Sequence, residues 1–188
     1  MTALMTDAQM RDLLEQLQAT DQDDVMQVDQ ALEDYPGDAR LHFLKASSCA
    51  NAGRHFEAYQ SFEKAVQIAP DFHLARFQFG FFQLTSGEAD NALQTLAPLC
   101  ELDERHYLNA FATGLGHLVR DELQACIAAL RKGQGLNSEN PALNGDMQLI
   151  IDKLGNLVAE QSQAQEESAD ETSMTAILLQ QSGQATRH

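Results

Sequence analysis

A repeat of 34 residues is the feature that most constrains what this chain can fold into. When the sequence is shifted along itself by that length, small, apolar and turn residues coincide across three consecutive units. The coinciding sets are Ala46, Gly80 and Gly114; Gly53, Gly87 and Asp121; Ala58, Ala92 and Cys126; Phe62, Leu96 and Leu130; Ala65, Leu99 and Gly133; Ile68, Leu102 and Leu136. A fixed period of this length is typical of a solenoid whose units are pairs of helices joined by a turn.

The residue types at the coinciding positions explain how such a pair would pack. A small residue such as Ala46 or Gly80 allows the two helices of one unit to approach closely. The larger residue that recurs in the second helix, Phe62 in the first unit, is expected to fill the space toward the next unit. Gly53 falls where the first helix must end, and glycine adopts a positive φ there at little cost.

The repeat register divides the chain into segments. Residues 39–72, 73–106 and 107–140 are predicted to be three helical pairs, with first helices near 39–52, 73–86 and 107–120 and second helices near 55–68, 89–102 and 123–136. Residues 1–38 are predicted to be a degenerate N-terminal repeat that caps the array; a helical arm used for self-association is the alternative. A capping helix is expected over 141–160, followed over 161–188 by a disordered acidic and glutamine-rich tail.

The pattern resembles the tetratricopeptide repeat (TPR) family. The residues that carry the resemblance in the first unit are Ala46, Ala58, Phe62, Ala65 and Pro70. The aromatic residue that opens the TPR motif is missing, because His42, Arg76 and Ala110 stand at that position. The resemblance implies an all-α fold, a right-handed α-solenoid of helical hairpins with a C-terminal capping helix.

The resemblance also implies a concave binding surface formed by the first helix of each unit. Carried over position by position, its apolar members are Phe43, Leu74, Phe77, Phe81, Leu84, Leu108, Phe111, Leu115 and Leu118. Phe43, Phe77 and Phe111 recur at the same position in all three units. Such a groove favours an apolar extended segment or an amphipathic helix of a protein partner. The alternative is that these rings are core residues between neighbouring helices.

One class of TPR ligand is disfavoured by the same positions. TPR domains that bind the acidic tails of heat-shock chaperones use a Lys and Asn clamp at the fifth and ninth positions of the repeat. This chain has Phe43 and Ser47, Phe77 and Phe81, and Phe111 and Leu115 at those positions.

Charge and composition exclude further classes of partner. The formal net charge is −16, which is the opposite of a nucleic-acid footprint. No apolar run is long enough for a transmembrane helix, and the N-terminal residues do not resemble a secretory signal. Three scattered cysteines suggest reduced thiols rather than a disulfide framework. We therefore expect a cytoplasmic protein that does not insert into membranes.

Residues able to carry chemistry are few. His117 and Cys126 fall where the two helices of the third unit are expected to face each other, and a Cys–His pair can act as nucleophile and base. A small core thiol beside a packed imidazole is the more ordinary interpretation. The six histidines have no metal-binding spacing, so we expect no metal and no cofactor.

Two functions of different kinds follow, with an enzyme as a remote third. The first is a non-catalytic adaptor that binds an apolar or amphipathic segment of a partner within a larger assembly. The second is a client-specific chaperone, because size, acidity and repeat count resemble the class II chaperones of type III secretion. A homodimer, and docking of the apolar tail residues Met174, Ile177 and Leu178 into the chain's own groove, are further expectations.

Overall fold

The computed structural model describes residues 3–19 and 24–184, without the side chains of residues 19, 162 and 164–184. All regular secondary structure in this part of the chain is α-helical, which confirms the predicted fold class. The helices are α1 Asp7–Ala19, α2 Asp24–Asp34, α3 Ala39–Asn51, α4 His55–Ile68, α5 His73–Thr85, α6 Ala89–Cys100, α7 Tyr107–Val119, α8 Leu123–Leu136 and α9 Pro141–Gln184. The chain divides between Glu104 and Arg105 into two compact units. From here on, first and second unit mean these two parts of the chain, and each 34-residue segment is called a repeat.

The turns inside the three helical pairs are built in the same way. In the first, the N–H of Gly53 donates to the carbonyl of Ala50 and the N–H of Arg54 donates to the carbonyl of Cys49. The equivalent bonds recur around Gly87 and around Asp121. All three residues have positive φ, 73° at Gly53, 85° at Gly87 and 56° at Asp121. Asp121 is therefore the left-handed residue of its turn, a role that glycine fills in the other two.

In the first unit, α1 and α2 form a hairpin that packs on α3. Its core consists of Met5, Met10, Leu13 and Val28 together with Leu41 of α3. The cluster buries the apolar face of the N-terminal helices against the first full repeat. Whether these helices cap the array or serve as an arm for self-association stays a prediction.

A buried carboxylate fixes the chain that precedes α1. Asp38, between α2 and α3, is 2% exposed and accepts hydrogen bonds from the backbone N–H of Met5 (3.1 Å) and of Arg40 (3.0 Å). The Arg40 side chain also donates to Asp38, to the carbonyl of Met5 and to Asp7. Burial would raise the pKa of Asp38, but the hydrogen bonds from Arg40 and Met5, with the charge of Arg40, lower it below its usual range.

Close helix approach in the second pair depends on a glycine. A Cβ added at Gly80 of α5 would stand 2.5 Å from Cγ of Leu96 in α6. Gly114 of α7 has the same relationship to Leu130 of α8 in the second unit, at 2.8 Å from Cδ2. Leu96 and Leu130 thus lie directly against the small residue of their own hairpin. The corresponding Phe62 contacts Phe79 and Phe82 of the next repeat, as the sequence predicts.

The second unit contains α7, α8 and α9. Leu143, Met147, Ile151 and Leu154 of α9 are buried, and α9 packs on α8. The turn before α9 is held by Asn137, whose Nδ2 donates to the carbonyl of Asn140 and to Oδ1 of Asn144, both at 2.8 Å. Helix α9 begins at Pro141, the predicted start of the capping helix, and extends beyond residue 160; its capping role stays a prediction.

The backbone beyond residue 160 differs from the sequence-based expectation. The tail was expected to be disordered, whereas α9 continues through it to Gln184. Alanine, glutamine and glutamate are good helix formers, so low hydrophobicity alone is a poor guide to the backbone here. The side chains of Met174, Ile177 and Leu178 lie outside the described residues, and their docking stays a prediction.

Candidate functional site

Phe43 of α3 is the predicted groove residue of the first repeat, and its side chain is half-buried. Its ring packs edge-on against Phe72 at a centroid distance of 5.3 Å and tilts toward Phe62 at 6.2 Å. Phe43 therefore serves the core of the first repeat while part of its ring remains accessible.

Helix α5 presents the most continuous apolar stripe among the predicted residues. Leu74, Phe81 and Leu84 are half-buried and recur on one face of the helix. Phe77 lies on the same face but is fully buried. The rings of Phe77 and Phe81 are stacked, with centroids 6.3 Å apart and planes 11° from parallel. Phe77 thus supports Phe81 from inside the fold, and Phe81 keeps an accessible face.

In the second unit, most of the predicted residues are core. Leu108, Phe111 and Leu115 of α7 are buried, and Leu118 alone of the four is half-buried. The ring of Phe111 packs on Gly133 of α8 and contacts the ring of Tyr107 edge-on at 5.9 Å. Side chains placed in this way fill the interior of the α7–α8 hairpin.

The described side chains therefore divide the nine predicted residues into two groups. Five keep accessible surface, namely Phe43, Leu74, Phe81, Leu84 and Leu118. Four are buried, namely Phe77, Leu108, Phe111 and Leu115. Only the first group can contact a ligand without rearrangement of the helices.

Sequence reasoning missed a second aromatic cluster in the first unit. Phe79 and Phe82 of α5 pack with Phe62 of α4, at centroid distances of 6.0 Å and 5.6 Å. Tyr59 of α4 contacts Phe79 edge-on at 5.1 Å. The signal was present in α5, where aromatic residues occupy both faces of one helix, but the prediction followed only the face that the family uses for ligands.

The two residues of the suspected thiol–imidazole pair, His117 and Cys126, lie in different surroundings. Nδ1 of His117 contacts the carboxylate of Glu122, and Arg120 lies 3.2 Å from the same nitrogen. Cys126 is fully buried, and burial raises the pKa of its thiol to about 11. A thiol with that pKa is protonated at neutral pH and is a poor nucleophile.

Among the residues that the structure describes, no group of three or more His, Cys, Asp or Glu side chains is placed to hold a metal ion. Within the same residues, no helix is both long enough and apolar enough to cross a membrane.

Comparison with known proteins finds structures of similar fold but identifies no family. No protein-family model matches the chain, and no curated protein matches its sequence. Among solved structures, MamA from residue 41 to its end, of Desulfovibrio magneticus RS-1, matches with a TM-score of 0.51 and 17% identity, over 78% of this chain and 85% of that one. The MamA RS-1 ArsTM double mutant matches with a TM-score of 0.50 and 16% identity, over 73% of this chain and 85% of that one.

These matches define the class of fold. This chain shares the fold of these MamA structures, and its own described helices form an all-α architecture of helical hairpins. At such low identity the likeness concerns the fold alone.

Proposed function

We propose that this protein is a non-catalytic interaction module that binds an apolar or amphipathic segment of a protein partner. The observation that carries the proposal is the half-buried stripe of Leu74, Phe81 and Leu84 on α5. An aromatic ring that is partly accessible and stacked on a buried neighbour is already ordered before binding. A partner then loses less entropy on docking against it than it would against a mobile side chain.

The role proposed for the module is that of an adaptor in a larger assembly. The one thiol suspected of chemistry does not support an enzyme, since Cys126 is buried and the pKa of its thiol is raised to about 11. The cysteines Cys49, Cys100 and Cys126 are free thiols, which agrees with the proposed cytoplasmic location. A client-specific chaperone is the alternative that the first experiment must separate from an adaptor.

The test is affinity capture from the protein's own cells with matched variants, followed by binding measurements on the partner so identified. Phe81→Ala should weaken binding of that partner by ~2 kcal/mol or more if Phe81 is a hot spot. Leu149→Ala is the control, because Leu149 is a large apolar residue, 62% exposed, on α9 and outside the stripe. Circular dichroism of both variants should match the parent.

The outcomes separate the alternatives. Equal binding by the Phe81 and Leu149 variants would contradict the proposed surface. Loss of helical signal in Phe81→Ala would show that the ring is structural. A partner that is insoluble alone and soluble in a stoichiometric complex would indicate a chaperone, whereas an adaptor joins folded partners. Light scattering on the isolated chain tests the expected homodimer.

A further inference from the structure

A cleft in the first unit has aromatic walls that the predicted groove does not use. It lies where the start of α4 meets the end of α5, and its volume is about 380 Å³. Its lining residues are His55, Phe56, Tyr59, Phe82, Ser86 and Glu88. None of them belongs to the apolar set predicted for the first helices.

Phe56 stands at this cleft with most of its ring in water. It is 75% exposed, more than any other large hydrophobic residue found exposed in the described chain. A single exposed apolar residue is ordinary on a protein surface. Here, however, the ring adjoins a concave surface made of other rings, so a bound group could contact several of them at once.

The other aromatic residues that line the cleft pack against buried rings. The ring of Phe82 lies 6.0 Å from that of His55 and 5.6 Å from that of Phe62. Tyr59 is held edge-on against Phe79 at 5.1 Å. Since Phe62 and Phe79 belong to the buried core, the cleft is formed in advance of binding.

The cleft also contains a negative charge. Nδ2 of Asn91 donates to Oε2 of Glu88 at 2.8 Å, which orients the carboxylate. Among the described residues, no Lys, Arg or His lies within ion-pair distance of Glu88. Arg54 donates from Nε and Nη2 to the carboxylate of Glu57. Covering Glu88 with a neutral apolar ligand would desolvate its negative charge without supplying a cation, which costs free energy.

We propose that this cleft binds a cationic side chain, Arg or Lys, presented by a protein partner. The ring faces attract the cation through their quadrupoles, and the carboxylate of Glu88 supplies a charged hydrogen-bond acceptor. The net charge of −16 favours encounter with basic segments at long range. The site shares no residue with the α5 stripe, so its failure would leave the proposed function standing.

The experiment is an NMR titration of the full-length, isotopically labelled chain. The probes are a capped Gly-Ser peptide with one central arginine and the same peptide with citrulline, which keeps the shape of arginine and lacks its charge. The arginine peptide should shift the backbone signals of Phe56, Tyr59, Ser86 and Glu88, and the citrulline peptide should not. Phe56→Ala should weaken arginine-peptide binding by about fivefold.

Glu88→Gln tests the charge and has a matched control. Glu63 is an exposed acid of α4 outside the cleft, so Glu63→Gln removes the same net charge. We expect a loss of about fivefold or more for Glu88→Gln and less than twofold for Glu63→Gln. Equal losses would overturn the proposal in favour of non-specific attraction. Equal binding of the citrulline peptide, or binding of spermidine at the same signals with the same affinity, would also overturn it.

Discussion

The ring of Phe111 lies directly over Gly133, so that a Cβ at Gly133 would overlap Cδ1 and Cε1 of the ring. Phe111 is fully buried in this contact. The third repeat therefore has a large residue on α7 and no side chain on α8 at the point where the helices meet. The equivalent pairs are Phe43 with Ala65 and Phe77 with Leu99, which places a different volume at the same position of each repeat.

Gly133→Ala should lower the free energy of unfolding by about 1–3 kcal/mol, because the added methyl group would overlap the buried ring of Phe111 and force the packing around it to shift. Gly155→Ala is the matched control. Gly155 is an exposed glycine of α9 with no atom within 4 Å of an added Cβ, so alanine there should stabilise the helix by up to ~1 kcal/mol. Urea unfolding measures both. A neutral or stabilising Gly133→Ala would contradict the packing described for Phe111.

The repeat register was sufficient to predict the helical pairs. The predicted spans of α4 and α8 agree with the structure at both ends, and the first helices α3, α5 and α7 each end one residue earlier than predicted. Helix α6 ends at Cys100, two residues earlier than predicted. The helical pairs could be predicted because turn residues and small residues recur every 34 residues. Both signals are local, so they can be read without knowledge of the rest of the fold.

The register could not say which apolar residues remain accessible. Phe77 and Phe81 are four residues apart on one helix, and any helical pattern places them on the same face. Phe77 is nevertheless buried and Phe81 half-buried, because burial depends on what neighbouring elements cover. The cleft at Phe56 could not be predicted from the register for a related reason, because it lies between the start of α4 and the end of α5.

Asp121→Gly should raise the free energy of unfolding by about 1 kcal/mol, since a left-handed conformation costs a residue with a side chain about 1–2 kcal/mol. Asp121 has φ of 56°, and glycine occupies the equivalent positions. The reverse change, Gly87→Asp, has open space around the added Cβ and should cost a similar amount. If both changes were neutral in urea unfolding, backbone strain would not be the property that distinguishes the third turn.

Gln83→Met should stabilise the protein by about 1 kcal/mol, because a buried acceptor without a partner carries a desolvation cost. Gln83 is 2% exposed, and its Oε1 has no hydrogen-bond partner among the described residues. Its Nε2 lies 3.5 Å from the hydroxyl of Tyr59, at the limit of a hydrogen bond. Tyr59→Phe should accordingly cost little stability. A large cost would mean that the Gln83 amide is well paired.

Asp38→Asn should lower the free energy of unfolding at neutral pH by ~1–3 kcal/mol, because a buried carboxylate that accepts hydrogen bonds from two backbone N–H groups and from the partly exposed Arg40 side chain becomes a neutral amide. The folded-state pKa of Asp38 is below its usual value. Its contribution is therefore complete above the unfolded pKa of about 3.9 and is lost as the pH falls through the lower, folded pKa. The difference between parent and variant should shrink in acid, as measured by urea unfolding at a series of pH values.

Asp29→Asn is the control for this pH dependence. Asp29 pairs with Lys45 at 2.6 Å, but its side chain is 45% exposed, and an exposed pair contributes only ~0–1 kcal/mol. Its stability difference from the parent should stay small at every pH. Because Asp38 holds the backbone of Met5, its loss should also expose the N-terminal hairpin to proteolysis first. If Asp38→Asn kept a constant difference down to the acid limit, the ionised carboxylate would not be what secures the hairpin.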